Sequence, residues 1–257
     1  EAKNKDEYGK TINLLNEFFA GRYDPNKHIK DVAGAKEEQI TTGIIDINQT
    51  EKREDENEYV LCSKMSSKKH RYTHVPKRGL FSAIKDSFKP QKIFLIADLH
   101  LDHINIIKYC ERPFRNAGYM NKLIMDNWNN TIRSKDIVYF LGDFNNAKYN
   151  KEVRIKQLLS QLNGEIRFIV GNHDKYRGTG KIFKILIDMK ESGEIKSLKE
   201  DDILRYKDKE FYLVHDPKDI PKDWKDWAIC GHEHNNKLKE FPFIDGKNKR
   251  INVGVEL

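Results

Sequence analysis

No stretch of this chain comes near the roughly 20 consecutive apolar residues needed to cross a bilayer, and the opening EAKNKDEYGK has no apolar signal-peptide core. No membrane partner is therefore expected, although a start at Glu1 rather than Met leaves an upstream leader open. Cysteine is scarce: Cys62, Cys110 and Cys230 are odd in number, widely spaced and form no C-x-x-C pair. That argues against a disulfide framework or a thiolate zinc site and favours a reducing, cytoplasmic setting. Internal repeats and low-complexity tracts are lacking too.

What is present suffices for a substantial core: 257 residues, 38% of them hydrophobic, enough for one α/β domain or a domain with an appendage. The net charge of +7 permits attraction to nucleotides or nucleic acid, while 34% charged residues also serve solubility alone.

The first 90 residues read as an α+β appendage. Ile12, Leu15, Phe18 and Phe19 share a face of a helix expected over 8–20, and Gly21 follows as a stop. ITTGIIDI (40–47) and 59–62 have the character of short strands around the solvated connector EKREDENE. Residues 64–79, KMSSKKHRYTHVPKRG, are basic with no acid, so 64–78 offers either a nucleic-acid contact or a solvated loop. Charge does not choose between them, since 1–90 hold 17 Lys plus Arg against 15 Asp plus Glu.

From 91 to 257 apolar strands alternate with amphipathic helices, which predicts a layered α/β catalytic domain with helices on both faces of a sheet. Strands are expected at IFLIA, IVYFL, IRFIV, 211–214, 227–230 and 251–255. Helices are expected at 104–111, 119–133, 151–162 and 181–190. Trp128, Trp224 and Trp227 read as packing residues rather than base-stacking platforms.

Function gathers at the carboxyl ends of such strands. After IFLIA comes Asp98-Leu99-His100, with strand alternation expected to aim Asp98 and His100 to one side. Gly142-Asp143 follows IVYFL, Gly171-Asn172-His173-Asp174 follows IRFIV, His215 follows FYLV, and Gly231-His232-Glu233-His234 follows WAIC. Each piece alone is weak, but folding needs no imidazole or carboxylate at every carboxyl edge. Imidazole, carboxylate and carboxamide without thiolate suit Mn²⁺, Fe²⁺, Co²⁺, Ni²⁺ or Zn²⁺. Asp98, His100, Asp143, Asn172, His215, His232 and His234 are too many ligands for one open ion, and fit two ions about 3.5 to 4 Å apart sharing a carboxylate.

The ordered set D-x-H, GD, GNH[DE], H and GH-x-H resembles the signature of the calcineurin-like metallophosphoesterase superfamily, over residues 91–257. Within it, DLHLDHINIIKYCERPF and NGEIRFIVGNHD look most like a small, poorly characterised bacterial, archaeal and phage group. The resemblance implies a four-layer αββα sandwich and two divalent ions, Mn²⁺ foremost. It implies that Asp98, His100 and His234 hold one ion, that Asn172, His215 and His232 hold the other, and that Asp143 bridges them. It further implies that His173 protonates the leaving oxygen, with Asp174 placed to orient it. The reaction implied is hydrolysis of a phosphate ester by a metal-bridged hydroxide. Basic charge favours a nucleotide or nucleic-acid diester. A phosphomonoesterase acting on a nucleotide or phosphoprotein, and a non-catalytic scaffold, are the alternatives.

Relatives commonly carry Gly-His where this chain has Asp102-His103, and they run somewhat beyond the point matching NVGVEL. Asp102 would repel an anionic substrate, hold a cation or sit outside the pocket. His103 and Asn105 are expected to line the cleft. Arg112 and Arg115 would either clamp a phosphate or complement a helix dipole.

Overall fold

The computed structural model describes residues 90–256 and a short strand at Ile45–Asp46. The helix expected at 8–20, the strand at 59–62, Cys62 and the basic stretch 64–78 lie outside the described residues.

The chain forms strands β1 (Ile45–Asp46), β2 (Ile93–Ile96), β3 (Ile137–Phe140), β4 (Glu165–Ile169) and β5 (Ser197–Lys199), which make one sheet in that order. β2 to β5 run parallel, and β1 pairs antiparallel on the β2 edge. A second sheet has the order β6 (Asp201–Tyr206), β7 (Lys209–Val214), β8 (Trp227–Cys230), β10 (Arg250–Asn252), β9 (Ile244–Asp245). Its central pairs, β7 with β8 and β8 with β10, are parallel.

Side-chain alternation sorts each strand between two cores. Phe94, Ile96, Val138, Phe140, Ile166 and Phe168 face the helices α1 (Ile104–Tyr109), α2 (Ala117–Thr131), α3 (Lys151–Leu159) and α4 (Lys184–Glu191). Leu95, Ala97, Tyr139, Leu141 and Ile169 face the opposite way, onto Phe211, Leu213, Ile229 and Ile251 of the second sheet. The helices therefore cover one face of the first sheet, and the second sheet covers the other. Among the described residues, the outer face of the second sheet carries only a thin fourth layer, where Ile220 and Trp224 pack on Tyr212, Val214, Ala228 and Cys230.

Helix α2 starts two residues earlier than its periodicity suggested, because Asn116 caps it by accepting the Tyr119 N–H at 2.8 Å. Trp128 is buried in the helix-side core and donates to the Asn163 carbonyl, and Trp224 packs on Tyr212. Among the described residues, Cys110 and Cys230 are free and buried, and no helix is long and apolar enough to cross a membrane. An Ala97–Gly254 bridge joins the two sheets beside the carboxyl ends of β2 and β10.

Candidate metal centre

That junction gathers the strand ends. β2 runs out at Ile96, so the strand pleat does not aim Asp98 and His100; left-handed backbone does, with φ of 61° and 46°. Asp143, His232 and His234 are left-handed as well, at 60°, 72° and 49°. Such conformations cost of order 1–3 kcal/mol each in non-glycine residues and persist where surrounding structure imposes them. Here Asp98 N–H donates to the Gly142 carbonyl at 3.0 Å, His100 N–H to the Asp143 carbonyl at 2.9 Å, and His232 N–H to Asp98 Oδ2 at 2.9 Å.

Glycine explains the dipeptides of the motif by close approach. A Cβ on Gly171 would lie 2.2 Å from Asp143 Oδ1, and one on Gly231 would lie 2.5 Å from Asp98 Oδ2. Both strand ends press backbone against a carboxylate, and no side chain fits between.

The cluster has two lobes. In one, Asp98, His100 and His234 bring a carboxylate oxygen and two ring nitrogens within 4.8 Å of one another. In the other, Asp143, His215 and His232 do the same. Asn172 joins the second lobe, its Oδ1 3.1 Å from His215 Nε2 and 3.0 Å from His232 Nδ1. Asp143 lies between them, its Oδ2 3.4 Å from His100 Nε2 and 3.3 Å from His215 Nε2.

Ring orientation follows from the hydrogen bonds. His215 Nδ1 is 2.7 Å from the Leu141 carbonyl, which makes Nδ1 the donor and leaves Nε2 facing Asp143. His234 Nδ1 meets Glu256 Oε1 at 2.9 Å, which turns its Nε2 toward Asp98. Asp98 Oδ1 and both nitrogens of His100 are buried without a hydrogen-bond partner. Unpartnered buried polar atoms are rare and costly, and a carboxylate oxygen facing imidazole nitrogens is the donor set a divalent cation satisfies.

Burial raises Asp98 above the ordinary carboxylate range and holds His100 well below the ordinary imidazole value. Burial also opposes ionisation of Asp143, but hydrogen bonding and the charge of His215 outweigh it and lower that carboxyl. Burial likewise opposes protonation of His215 and His234. Asp143 nevertheless lifts His215 to about 10, and Asp98 with Glu256 lifts His234 to about 11.

His173 stands beside the cluster, its ring 5.1 Å from that of His100, and its pKa is lowered mainly by burial. Its N–H donates to Asp143 Oδ1 at 2.8 Å, and its carbonyl accepts from Lys151 Nζ at 2.8 Å. Asp174 does not orient the His173 ring as expected. Its buried carboxylate is spent on the backbone N–H groups of Asp143, Phe144 and Gly171, at 2.7, 3.1 and 2.9 Å, which clamps two strand ends together. Burial and Asp143 raise that carboxyl to about 6.

His103 reaches the site rim, with ring centroids 5.7 Å from His100 and 6.5 Å from His173. Asn105 is exposed on α1, and Arg115 is exposed with its guanidinium over the Tyr119 ring. Arg112 is not a phosphate clamp: its guanidinium is buried and donates to Leu99 O, Asp98 O and Glu256. Asp102 sits at φ 65°, which explains why glycine suits this position, and its carboxylate is held by Arg154, Asn121 and Asn145. The cation it holds is therefore internal.

Glu256 joins the site without a sequence motif of its own, although NVGVEL has the grammar of the other strand ends, an apolar run closing on an acid.

A two-sheet α/β sandwich whose carboxyl edges converge on a carboxylate, imidazole and carboxamide cluster is a fold that presents candidate metal ligands at one edge. The chain belongs to the calcineurin-like phosphoesterase superfamily, whose domain model matches residues 92–255. An uncharacterised protein of Methanocaldococcus jannaschii is 45% identical over 168 residues, covering 65% of this chain and 83% of that protein. Among solved structures, a protein of unknown function from Aquifex aeolicus aligns at 22% identity and a TM-score of 0.45, over 64% of this chain and 90% of that one. A novel archaeal phosphodiesterase aligns at 17% identity and a TM-score of 0.35, over 63% of this chain and 82% of that one.

Proposed function

We propose that this chain is a two-metal phosphoesterase that hydrolyses a phosphodiester of a nucleotide or nucleic acid in preference to a monoester. The observation that carries the reading is the unpartnered Asp98 Oδ1 and His100 imidazole, buried in a cluster that continues through Asp143 into a second lobe. Asp98, His100 and His234 would hold one ion, Asn172, His215 and His232 the other, and Asp143 both. Mn²⁺ heads the series Mn²⁺, Fe²⁺, Co²⁺, Ni²⁺ and Zn²⁺ that this donor set accepts. When bound, the pair supplies positive charge for the phosphoryl oxygens and an acidified water at neutral pH.

The chain's own residues do the rest. His173 delivers a proton to the leaving oxygen. Burial lowers the proton affinity of His173, and the negative charge of a phosphate beside the ring would oppose that lowering. Lys151 fixes the His173 backbone and adds positive charge at the rim. His103 forms the wall beside them, next to the exposed ring of Tyr109. The preference for a diester rests on the net charge of +7 and on the basic stretch 64–78.

The test is a metal-by-substrate screen: bis-aryl phosphate, aryl phosphate, 2′,3′-cyclic nucleotides, DNA and RNA, each with Mn²⁺, Ni²⁺, Zn²⁺ and Mg²⁺. Hydrolysis of a diester with Mn²⁺, abolished by Asp143→Ala and by His234→Ala, supports the reading. Activity that survives both substitutions refutes it.

A further inference from the structure

Two features left over from the sequence, Arg112 in CERPF and the terminal NVGVEL, meet at one buried point. Arg112 Nε donates to Glu256 Oε1 at 2.9 Å, and Nη2 pairs with the same oxygen. The guanidinium also donates through Nη1 to the Leu99 carbonyl and through Nη2 to the Asp98 carbonyl, both at 2.8 Å. Glu256 Oε1 takes the Nδ1–H of His234 as well. The two side chains are 1% and 0% exposed. Neither faces solvent, so neither can touch a substrate.

We propose that Arg112 and Glu256 are a positioning pair dedicated to one of the two ions, the one assigned to Asp98, His100 and His234. This inference rests on the two-ion reading above. One guanidinium grips the backbone of the residue carrying the first ligand and also the carboxylate that orients the last ligand. The two ends of the lobe, Asp98 and His234, come from different sheets, and Arg112 with Glu256 joins them, alongside the His232 N–H bond to Asp98 Oδ2. The Ala97–Gly254 bridge and the Val255 N–H to Ala97 carbonyl bond deliver Glu256 to this place.

The pairing also makes His234 and His215 chemically unequal, while His232 has Asp216 Oδ2 3.6 Å from its Nε2. His215 in the other lobe is oriented by a neutral backbone carbonyl, whereas His234 is backed by a carboxylate. A carboxylate behind an imidazole fixes its tautomer and makes it a better electron donor, and removing such a partner typically costs about 10- to 100-fold in metal affinity. Arg112 cancels the charge of Glu256, so the carboxylate is tolerated in the interior without adding net charge to the centre.

The experiment is calorimetric titration of the full chain with Mn²⁺, together with metal content per chain, for wild type, Glu256→Gln and His232→Ala. Glu256→Gln is chosen because the amide keeps size and an acceptor oxygen for Arg112, whereas alanine would strand a buried cation. Arg112→Met/Glu256→Gln serves if the single variant loses its circular dichroism signature. Wild type is expected to take up two ions. Glu256→Gln is expected to keep one at wild-type affinity and bind the other about 10- to 100-fold more weakly. His232→Ala should lose the ion that Glu256→Gln retains and keep the one that Glu256→Gln weakens. A merely structural role would lower both affinities together or only the melting temperature. Equal weakening of both steps, or no change in either, overturns the inference alone. A wild-type chain that binds no ion overturns the two-ion reading and the inference with it.

Discussion

Gly171→Ala is the most economical perturbation of the centre. Gly171 has φ −90° and ψ 177°, a backbone conformation open to alanine, so the substitution carries no conformational penalty. Its cost is steric. The new Cβ would stand 2.2 Å from Asp143 Oδ1 and 2.6 Å from Asp143 N, and reaching ordinary contact near 3.4 Å requires the carboxylate to withdraw by about 1.2 Å. Asp143 cannot yield freely, because His173 N–H holds Oδ1 at 2.8 Å and Asp174 Oδ2 holds its N–H at 2.7 Å. Overpacking of this kind costs roughly 1–3 kcal/mol, or roughly 2–12 °C in melting temperature for a domain of this size, measured with chelator present. A displacement near 1 Å at a shared ligand should lower kcat by roughly a hundredfold and weaken both ions. Gly178→Ala is the control. Its φ of +74° is unfavourable for alanine, but nothing lies within 4 Å of the added methyl, so it should cost about 1 kcal/mol and leave ion uptake intact. A Gly171→Ala protein that binds Mn²⁺ and melts like wild type would refute the packing argument.

Asp136 is buried at the start of β3, and it accepts from Lys92 N–H, Arg133 N–H and the Arg133 guanidinium. Burial opposes its ionisation, but these donors lower its carboxyl below the usual 3.8. Its stabilising contribution is therefore present above about pH 3.8 and lost as pH falls through the lower folded value. Asp136→Asn should cost about 1.5–3 kcal/mol at neutral pH, and the gap from wild type in denaturant melts should narrow in acid. Arg154→Ala releases Asp102 outside the metal cluster. It should cost about 1 kcal/mol or less, given its partial exposure, with kcat unchanged; a large kcat loss would put Asp102 in the reaction. His173→Ala should keep both ions while kcat falls roughly 10²- to 10⁴-fold, most for alkyl leaving groups and least for nitrophenyl. An equal loss across leaving groups would deny it the proton transfer.

The strand ends were legible because their signal is local. IFLIAD, IVYFLGD and IRFIVGNHD each set an apolar run directly against the residues that the fold collects. The edges of the sheets were not. In β6, DDILRY, only Leu204 is buried, so hydrophobic alternation is too weak to read, and β5 and β9 are three and two residues long. The pairing of Arg112 with Glu256 was illegible for another reason. Their 144-residue separation is closed only when the two sheets dock, and an arginine after a helix looks the same whether it faces a phosphate or a buried acid. Asp102 shows the same limit, since its partner Arg154 lies 52 residues away.

Two ions sharing Asp143 would sit where a crystal can locate them. An anomalous-difference map from crystals grown with Mn²⁺ should show two peaks per chain, one among Asp98, His100 and His234, one among Asn172, His215 and His232, with Asp143 touching both. A single peak, or peaks away from Asp143, would contradict it.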